Sequence, residues 1–188
     1  MSITYATGDL FANRFQAQAL AHGCNCQGSM GAGIATGFRD RYPTMSEEFR
    51  RRCKAKPREF NLGDAWLWKA NDRPWVFNLG TQEAVWRARA SYEAIETALA
   101  SMRQQADQEG ITSIAVPRIG ARYGGLSWKK VKALIETVFV DWTGNLYVYE
   151  EYAPEGSSQE GQEESPYPST SKAAARNEPR SKRRGRTP

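Results

Sequence analysis

His22-Gly-Cys-Asn-Cys-Gln-Gly-Ser-Met-Gly-Ala-Gly-Ile34 joins two runs of opposite character. Before it, Ala17 to His22 is apolar and of strand length. Its last residues open a second run, Gly31 to Arg41, which reads as a helix and is stopped by Tyr42-Pro43. The four glycines in the stretch allow backbone N–H groups to turn into one concavity. A helix beginning there adds its unbonded first amides and the positive end of its dipole. Together these make a site for a phosphate or diphosphate. No Gly-Lys-Ser/Thr follows, so the loop is not a P-loop, and the glycine order is not the Gly-x-Gly-x-x-Gly of a dinucleotide fold. A purely structural turn would carry the same glycines, so the reading needs support from elsewhere in the chain.

Working outward, strands and helices alternate. Ser2 to Thr7, Ala65 to Lys69, Trp75 to Leu79, Ile111 to Pro117 and Asn145 to Glu150 read as strands. Met45 to Lys54 is a charged helix. Ser91 caps a helix with Tyr92, Ile95, Leu99 and Met102 on one face, ending near Glu109-Gly110. Ser127 caps another, with Val131, Leu134, Ile135 and Val138 as its buried stripe. This order predicts a three-layer α/β/α fold with a mixed, mostly parallel central sheet. Ligands of such sheets bind in the loops that lead from strands into helices. One further loop of that kind is Pro117-Arg-Ile-Gly-Ala-Arg-Tyr-Gly-Gly-Leu126, again glycine-rich. Gly8-Asp9-Leu10 follows the first strand and offers a carboxylate, either as a turn cap or as an acceptor for an adenine amino group.

Gly8-Asp-Leu10, His22 to Ala35 and Pro117-Arg-Ile-Gly120, in this order, resemble the macrodomain signature over about Thr4 to Tyr149. Within that family the first loop is most similar to the branch that contains ADP-ribose glycohydrolases, an antitoxin that removes ADP-ribose from DNA, and fungal ADP-ribose-1″-phosphate phosphatases. The resemblance implies ADP-ribose as ligand. Asp9 would take the adenine amino group, with Leu10 lining the pocket. Asn25 would lie near the distal ribose. Ser29, Met30, Gly31, Ala32, Gly33 and Ile34 would surround the diphosphate, and Ile119, Gly120, Ala121, Arg122 and Tyr123 would close over it. Thr81 is counted with these ligand contacts. Tyr149 or Tyr152 would line the adenine end. The implied activity is hydrolysis of ADP-ribose linkages on protein carboxylates or DNA bases. The alternatives are a phosphatase for ADP-ribose-1″-phosphate and a non-catalytic reader.

The chain departs from the branch at two points. Gln82 or Glu83 stands where the hydrolases carry a lysine, and Gly124 where some carry an aspartate. A lysine adduct with opened ribose is therefore not supported. The candidates left for catalysis are Asn25 or Gln82 holding a water against the diphosphate, Glu83 as acid or base, and Arg87 or Arg89 on the phosphate or leaving group. His22 is the single histidine, so neither Cys24 nor Cys26 has a second histidine to activate it. The Cys-x-Cys spacing suits no zinc knuckle, and no metal or cofactor is expected.

The 188 residues suit one domain with a tail. The macrodomain is expected over 1–152. Residues 153–188 are rich in Pro, Gly, Ser, Glu and Arg, acidic first and then basic, and should stay disordered. Part of the net charge of +5 lies there: seven cations from Lys172 to Arg186 face Glu178 alone. Such an arm adds weak nucleic-acid affinity or is simply solvated. No run is long enough to span a bilayer, so no membrane contact is expected. The N-terminus is not signal-like, and three cysteines make an odd set. Both point to reduced thiols in a cytoplasmic protein.

Overall fold

Apolar residues lie on both faces of the inner strands, because each face carries its own core. Ala19, Ala21, Phe77, Leu79, Ile114, Val116, Leu146 and Val148 enter one core, while Leu20, Cys24, Val76, Ala115 and Tyr149 enter the other. A strand buried on both sides reads as a continuous apolar run. The computed structural model describes residues 2–85, 90–121 and 124–154. Residues 155–188 of the expected tail lie outside the described residues, as do Arg87, Arg89, Arg122 and Tyr123.

The strands are β1 (Ser2–Thr7), β2 (Ala19–Asn25), β3 (Ala65–Trp68), β4 (Trp75–Gln82), β5 (Ser113–Pro117) and β6 (Asn145–Glu151). They form one sheet in the order β1-β6-β5-β2-β4-β3. All neighbours are parallel except β3, which pairs antiparallel with β4. The helices are α1 (Ile34–Arg41), α2 (Pro43–Lys54), α3 (Tyr92–Glu109) and α4 (Trp128–Val138). Phe38 of α1 and Met45 and Phe49 of α2 fill one core; Ile95, Leu99 and Met102 of α3 with Val131 and Ile135 of α4 fill the other. The fold is the expected three-layer α/β/α arrangement. Among the described residues no helix is long and apolar enough to cross a membrane.

Several boundaries move, each for a local reason. β2 runs on through Gly23 and Cys24 to Asn25, and β4 past Leu79 to Gln82, because these segments pair with each other. Gly23 permits this: a Cβ there would meet Thr81 Oγ1 at 2.9 Å. α1 begins at Ile34 rather than Gly31, so Gly31 and Gly33 remain in the loop. Pro43 opens α2 immediately after α1 ends, a position where its missing N–H is harmless. Ser91 caps α3 as expected, its Oγ accepting from Ala94 N at 3.0 Å, and Gly110 closes that helix in the left-handed region. Ser127 occupies the cap position of α4 but makes no side-chain cap bond; its backbone N–H donates to Tyr92 Oη. Of the α4 stripe only Val131 and Ile135 are fully buried.

The topology fixes where a ligand can lie. The five parallel strands end on one edge, so Asp9, Asn25, Gln82 and Arg118 all fall there. β2 and β5 are neighbours, yet β2 leads into α1 on one face and β5 into α4 on the other. The two glycine loops therefore diverge from neighbouring strand ends, the place where sheets of this kind open a ligand crevice.

Candidate functional site

The first glycine loop is held from below. Asn25 Oδ1 accepts from Gln27 N at 3.0 Å and Ser29 N at 3.2 Å, and its Nδ2 donates to Ser29 O at 2.7 Å. Most of the Asn25 amide thus shapes the loop, leaving one N–H for a ligand. Gly28, at φ +80°, packs against α2: a Cβ there would lie 3.0 Å from Arg50 Cα. Met30 is buried beneath, whereas Gly31, Ala32 and Gly33 form an exposed crest. Gly33 has φ +59° and ψ −146°, a backbone region open essentially to glycine. Among the described residues the N–H groups of Met30 through Ala35 have no protein acceptor; Thr36 is the first to bond back, to Gly33 O. A row of unbonded amides at a helix N-terminus is an anion receptor.

The second loop faces it from β5. Ile119 is buried, and Gly120 and Ala121 are half-buried. Gly120, at φ +67°, accepts from Leu126 N at 3.0 Å. A Cβ on Gly124 would lie 2.5 Å from Gly120 O and 2.7 Å from Ala90 Cβ. Any side chain there would force the second loop to shift, so the packing itself favours glycine at 124.

Asp9 caps a short 3-10 turn, Leu10–Ala12, its Oδ1 accepting from Phe11 N at 2.9 Å. Among the described residues nothing donates to the other carboxylate oxygen. Leu10 is buried beside it, and Tyr149 packs its ring edge against Gly8. The Tyr149 hydroxyl is buried and has no partner among the described residues. Tyr152 is 70% exposed. Only the orphaned hydroxyl distinguishes Tyr149 from an ordinary core tyrosine, and sequence cannot register that.

The end of β4 supplies the remaining residues. Thr81 is buried with its hydroxyl directed at Cys24 O. Gln82 Nε2 donates to Ala84 O at 3.1 Å, and its backbone O accepts from Cys26 N. Glu83 is forked by Arg58 at 2.6 and 3.3 Å. That pair is half-exposed and adds less than about 1 kcal/mol to stability. It does occupy the carboxylate: Glu83 acts as a base only after leaving the guanidinium. Arg58 lies 25 residues from Glu83, so no sequence signal links them. Arg118 lies just after β5, at the start of the second glycine loop. Its guanidinium lies 5.3 Å from the Trp128 ring centre, and its Nε is buried without a partner among the described residues.

His22 stands under the loop and is fully buried. It stacks on Phe38 at 4.0 Å and its Nε2 bonds Asn78 Oδ1 at 2.9 Å. Burial pushes its pKa down to about 4, against a smaller opposing effect of the Asn78 bond, so the ring is neutral at physiological pH. Between pH 4 and the ordinary value of 6.5 the unfolded chain binds more protons than the folded one. This contribution is therefore complete above about pH 6.5 and is lost as pH falls towards 4, amounting to about 3 kcal/mol. Thermal unfolding from pH 7 to 4 should show a steeper fall in Tm for the wild type than for His22→Gln; parallel curves would contradict it. Burial also raises the thiols, Cys26 to about 12 and Cys53 to about 11, with Cys24 raised too. Thiols so protonated are poor nucleophiles. Among the described residues no His, Cys, Asp or Glu cluster is placed to hold a metal.

Known proteins share this arrangement. The Macro domain family model matches residues 21–135. The DNA ADP-ribosyl glycohydrolase of Mycobacterium tuberculosis is 34% identical over 140 residues, which is 73% of this chain. The chain spans only 38% of that relative's length. Human ADP-ribose glycohydrolase OARD1 is 31% identical over 147 residues, covering 78% of this chain and 90% of OARD1. The solved structure of Thermosipho africanus DarTG in complex with ADP-ribose aligns with a TM-score of 0.71 at 25% identity, over 81% of this chain and 42% of that one. With the matched family model spanning both the first glycine loop and the second, the chain belongs to the macro domain family.

Proposed function

We propose that the crevice between the two glycine loops binds ADP-ribose and that the chain hydrolyses an ADP-ribosyl linkage on a modified macromolecule, a DNA base or a protein carboxylate. The row of unbonded amides from Met30 to Ala35 carries this reading, since it suits a diphosphate and nothing among the described residues uses it. The free oxygen of Asp9 and the orphaned Tyr149 hydroxyl suit the adenine end. The named activities of the relatives support hydrolysis.

Cleavage at the anomeric carbon develops oxocarbenium-like charge, which the bound diphosphate stabilises across a short distance. Gln82, at the strand end beside Asn25, and the remaining Asn25 N–H hold the attacking water. Arg87 would meet the phosphate or leaving group. Buried free thiols suit a reducing compartment such as the cytoplasm.

The test is direct. The protein is incubated with ADP-ribosylated DNA, with a protein ADP-ribosylated on glutamate, and with ADP-ribose-1″-phosphate. Release of ADP-ribose from a macromolecule is the expected result. Phosphate released only from the small molecule would make the chain a phosphatase. Calorimetric binding of ADP-ribose without any turnover would make it a reader, and no binding at all would overturn the assignment.

Residues 1–152 are taken as the whole binding module, with 153–188 an appended arm adding weak nucleic-acid affinity. Deleting 153–188 should leave Tm and ADP-ribose affinity unchanged; a large fall in Tm would show that the arm is part of the fold.

A further inference from the structure

The second half of α2 carries charge that the ADP-ribose site does not use. Residues 50–58 hold six cations and no carboxylate. Three are engaged: Arg51 with Glu59 at 3.1 Å, Arg52 with Glu48 at 3.1 Å, and Arg58 with Glu83 at 2.6 Å. Arg50, Lys54 and Lys56 are exposed, and among the described residues none of them forms an ion pair. Arg50 and Lys54 stand one turn apart on the same face of the helix. Lys56 continues beyond its end.

Placement gives these cations meaning. Gly28 of the first glycine loop packs directly on the Arg50 backbone, with a Cβ position 3.0 Å from Arg50 Cα and 3.2 Å from Cys53 Cβ. The first of the three cations, Arg50, therefore adjoins the first glycine loop, and Lys54 and Lys56 follow it in the chain. A helix dipole explains cations in the last turn. It does not explain Arg50, just before that turn, or Lys56, outside the helix. The diphosphate of ADP-ribose already has the loop amides, so a small ligand has no use for charge on α2. A polyanion that continues past the site does.

We propose that Arg50, Lys54 and Lys56 form a docking track for the phosphodiester backbone of a nucleic-acid strand whose ADP-ribosylated base enters the crevice. This rests on the ADP-ribosyl hydrolase reading of that crevice and narrows its substrate class to nucleic acid. Phosphate contacts of this kind position the strand and read no sequence. Their affinity falls with salt as counterions are released.

The experiment uses the full chain and an unmodified, fluorescently labelled single-stranded DNA oligonucleotide, with binding followed by anisotropy over a series of salt concentrations. The variants are the triple Arg50→Gln, Lys54→Gln, Lys56→Gln and a control on α4, Lys129→Gln with Lys130→Gln. The triple variant should bind DNA roughly tenfold more weakly and lose about two units of slope in log K against log salt, at about 0.7 per phosphate contact. The control should change little. ADP-ribose binding, measured separately by calorimetry, should be the same in wild type and triple variant, which also reports that the variant is folded. Unchanged DNA affinity and slope in the triple variant overturn the proposal, as does an equal loss in the control. Equally tight binding of a polyglutamate peptide to the wild type overturns it in favour of an acidic protein partner. If the wild type fails to bind ADP-ribose, the hydrolase reading falls on that measurement, independently of the DNA data.

Discussion

Gly33→Glu should abolish ADP-ribose binding, with affinity falling at least ~100-fold in a calorimetric titration, about 2.7 kcal/mol. Two effects combine. Gly33 sits at φ +59° and ψ −146°, where any Cβ is strained by about 1–3 kcal/mol. It is also the residue before α1, on the exposed crest among amides that have no protein acceptor. A carboxylate there would bond those amides itself and repel the diphosphate proposed to sit on them. Gly33→Ala separates the two effects. It shares the strain and should lower Tm similarly, yet it should retain most of the binding because it adds no charge. Undiminished affinity in Gly33→Glu would reject the placement of the diphosphate in this loop.

Gly124→Asp should not create a working acid at the position where the family resemblance implies an aspartate in some members. A Cβ at 124 would come within 2.5 Å of Gly120 O and 2.9 Å of Gly120 Cα, and within 2.7 Å of Ala90 Cβ. The nearest atoms are mainly backbone, so relief requires the second loop to move. The expected loss is about 3 kcal/mol, the upper end for overpacking. That corresponds to a fall in Tm of roughly 6–12 °C for a domain of this size. Displacing Gly120 also shifts Ile119 and Ala121, so ADP-ribose affinity should fall with stability. A folded variant with faster turnover would show that the loop adapts and that the missing aspartate is a chance loss.

The residues that act through local backbone geometry were legible in the sequence. The loop from Gly28 to Gly33 reads as a phosphate turn because glycines license backbone conformations and a helix start supplies donors, and both facts are local. Ser91 and Gly110 mark α3 for the same reason. The boundaries that moved were set by partners remote in sequence. β2 reaches Asn25 because Gln82 pairs with it, and Thr81 is buried because Gly23 leaves room for it. The role of Asn25 was visible only in part: its place at the ribose end is a family resemblance, whereas its three bonds to the loop appear only once Gln27 and Ser29 have folded back over it.

The catalytic candidates show the limit most clearly. Glu83 is a free carboxylate in the sequence and a clamped one in the structure, because Arg58 arrives from a different segment. Gly124 is an omission in the sequence and a packed position in the structure. By itself the sequence determined the layer order, the glycine loop ahead of α1 and, through its motifs, the family, since these follow from periodicity, from what glycine and helix ends permit locally, and from residues close together in the chain. Only the tertiary structure decided which polar groups are still free for a ligand, because a hydrogen bond or an ion pair is consumed by whichever segment packs against it, and that segment lies elsewhere in the chain.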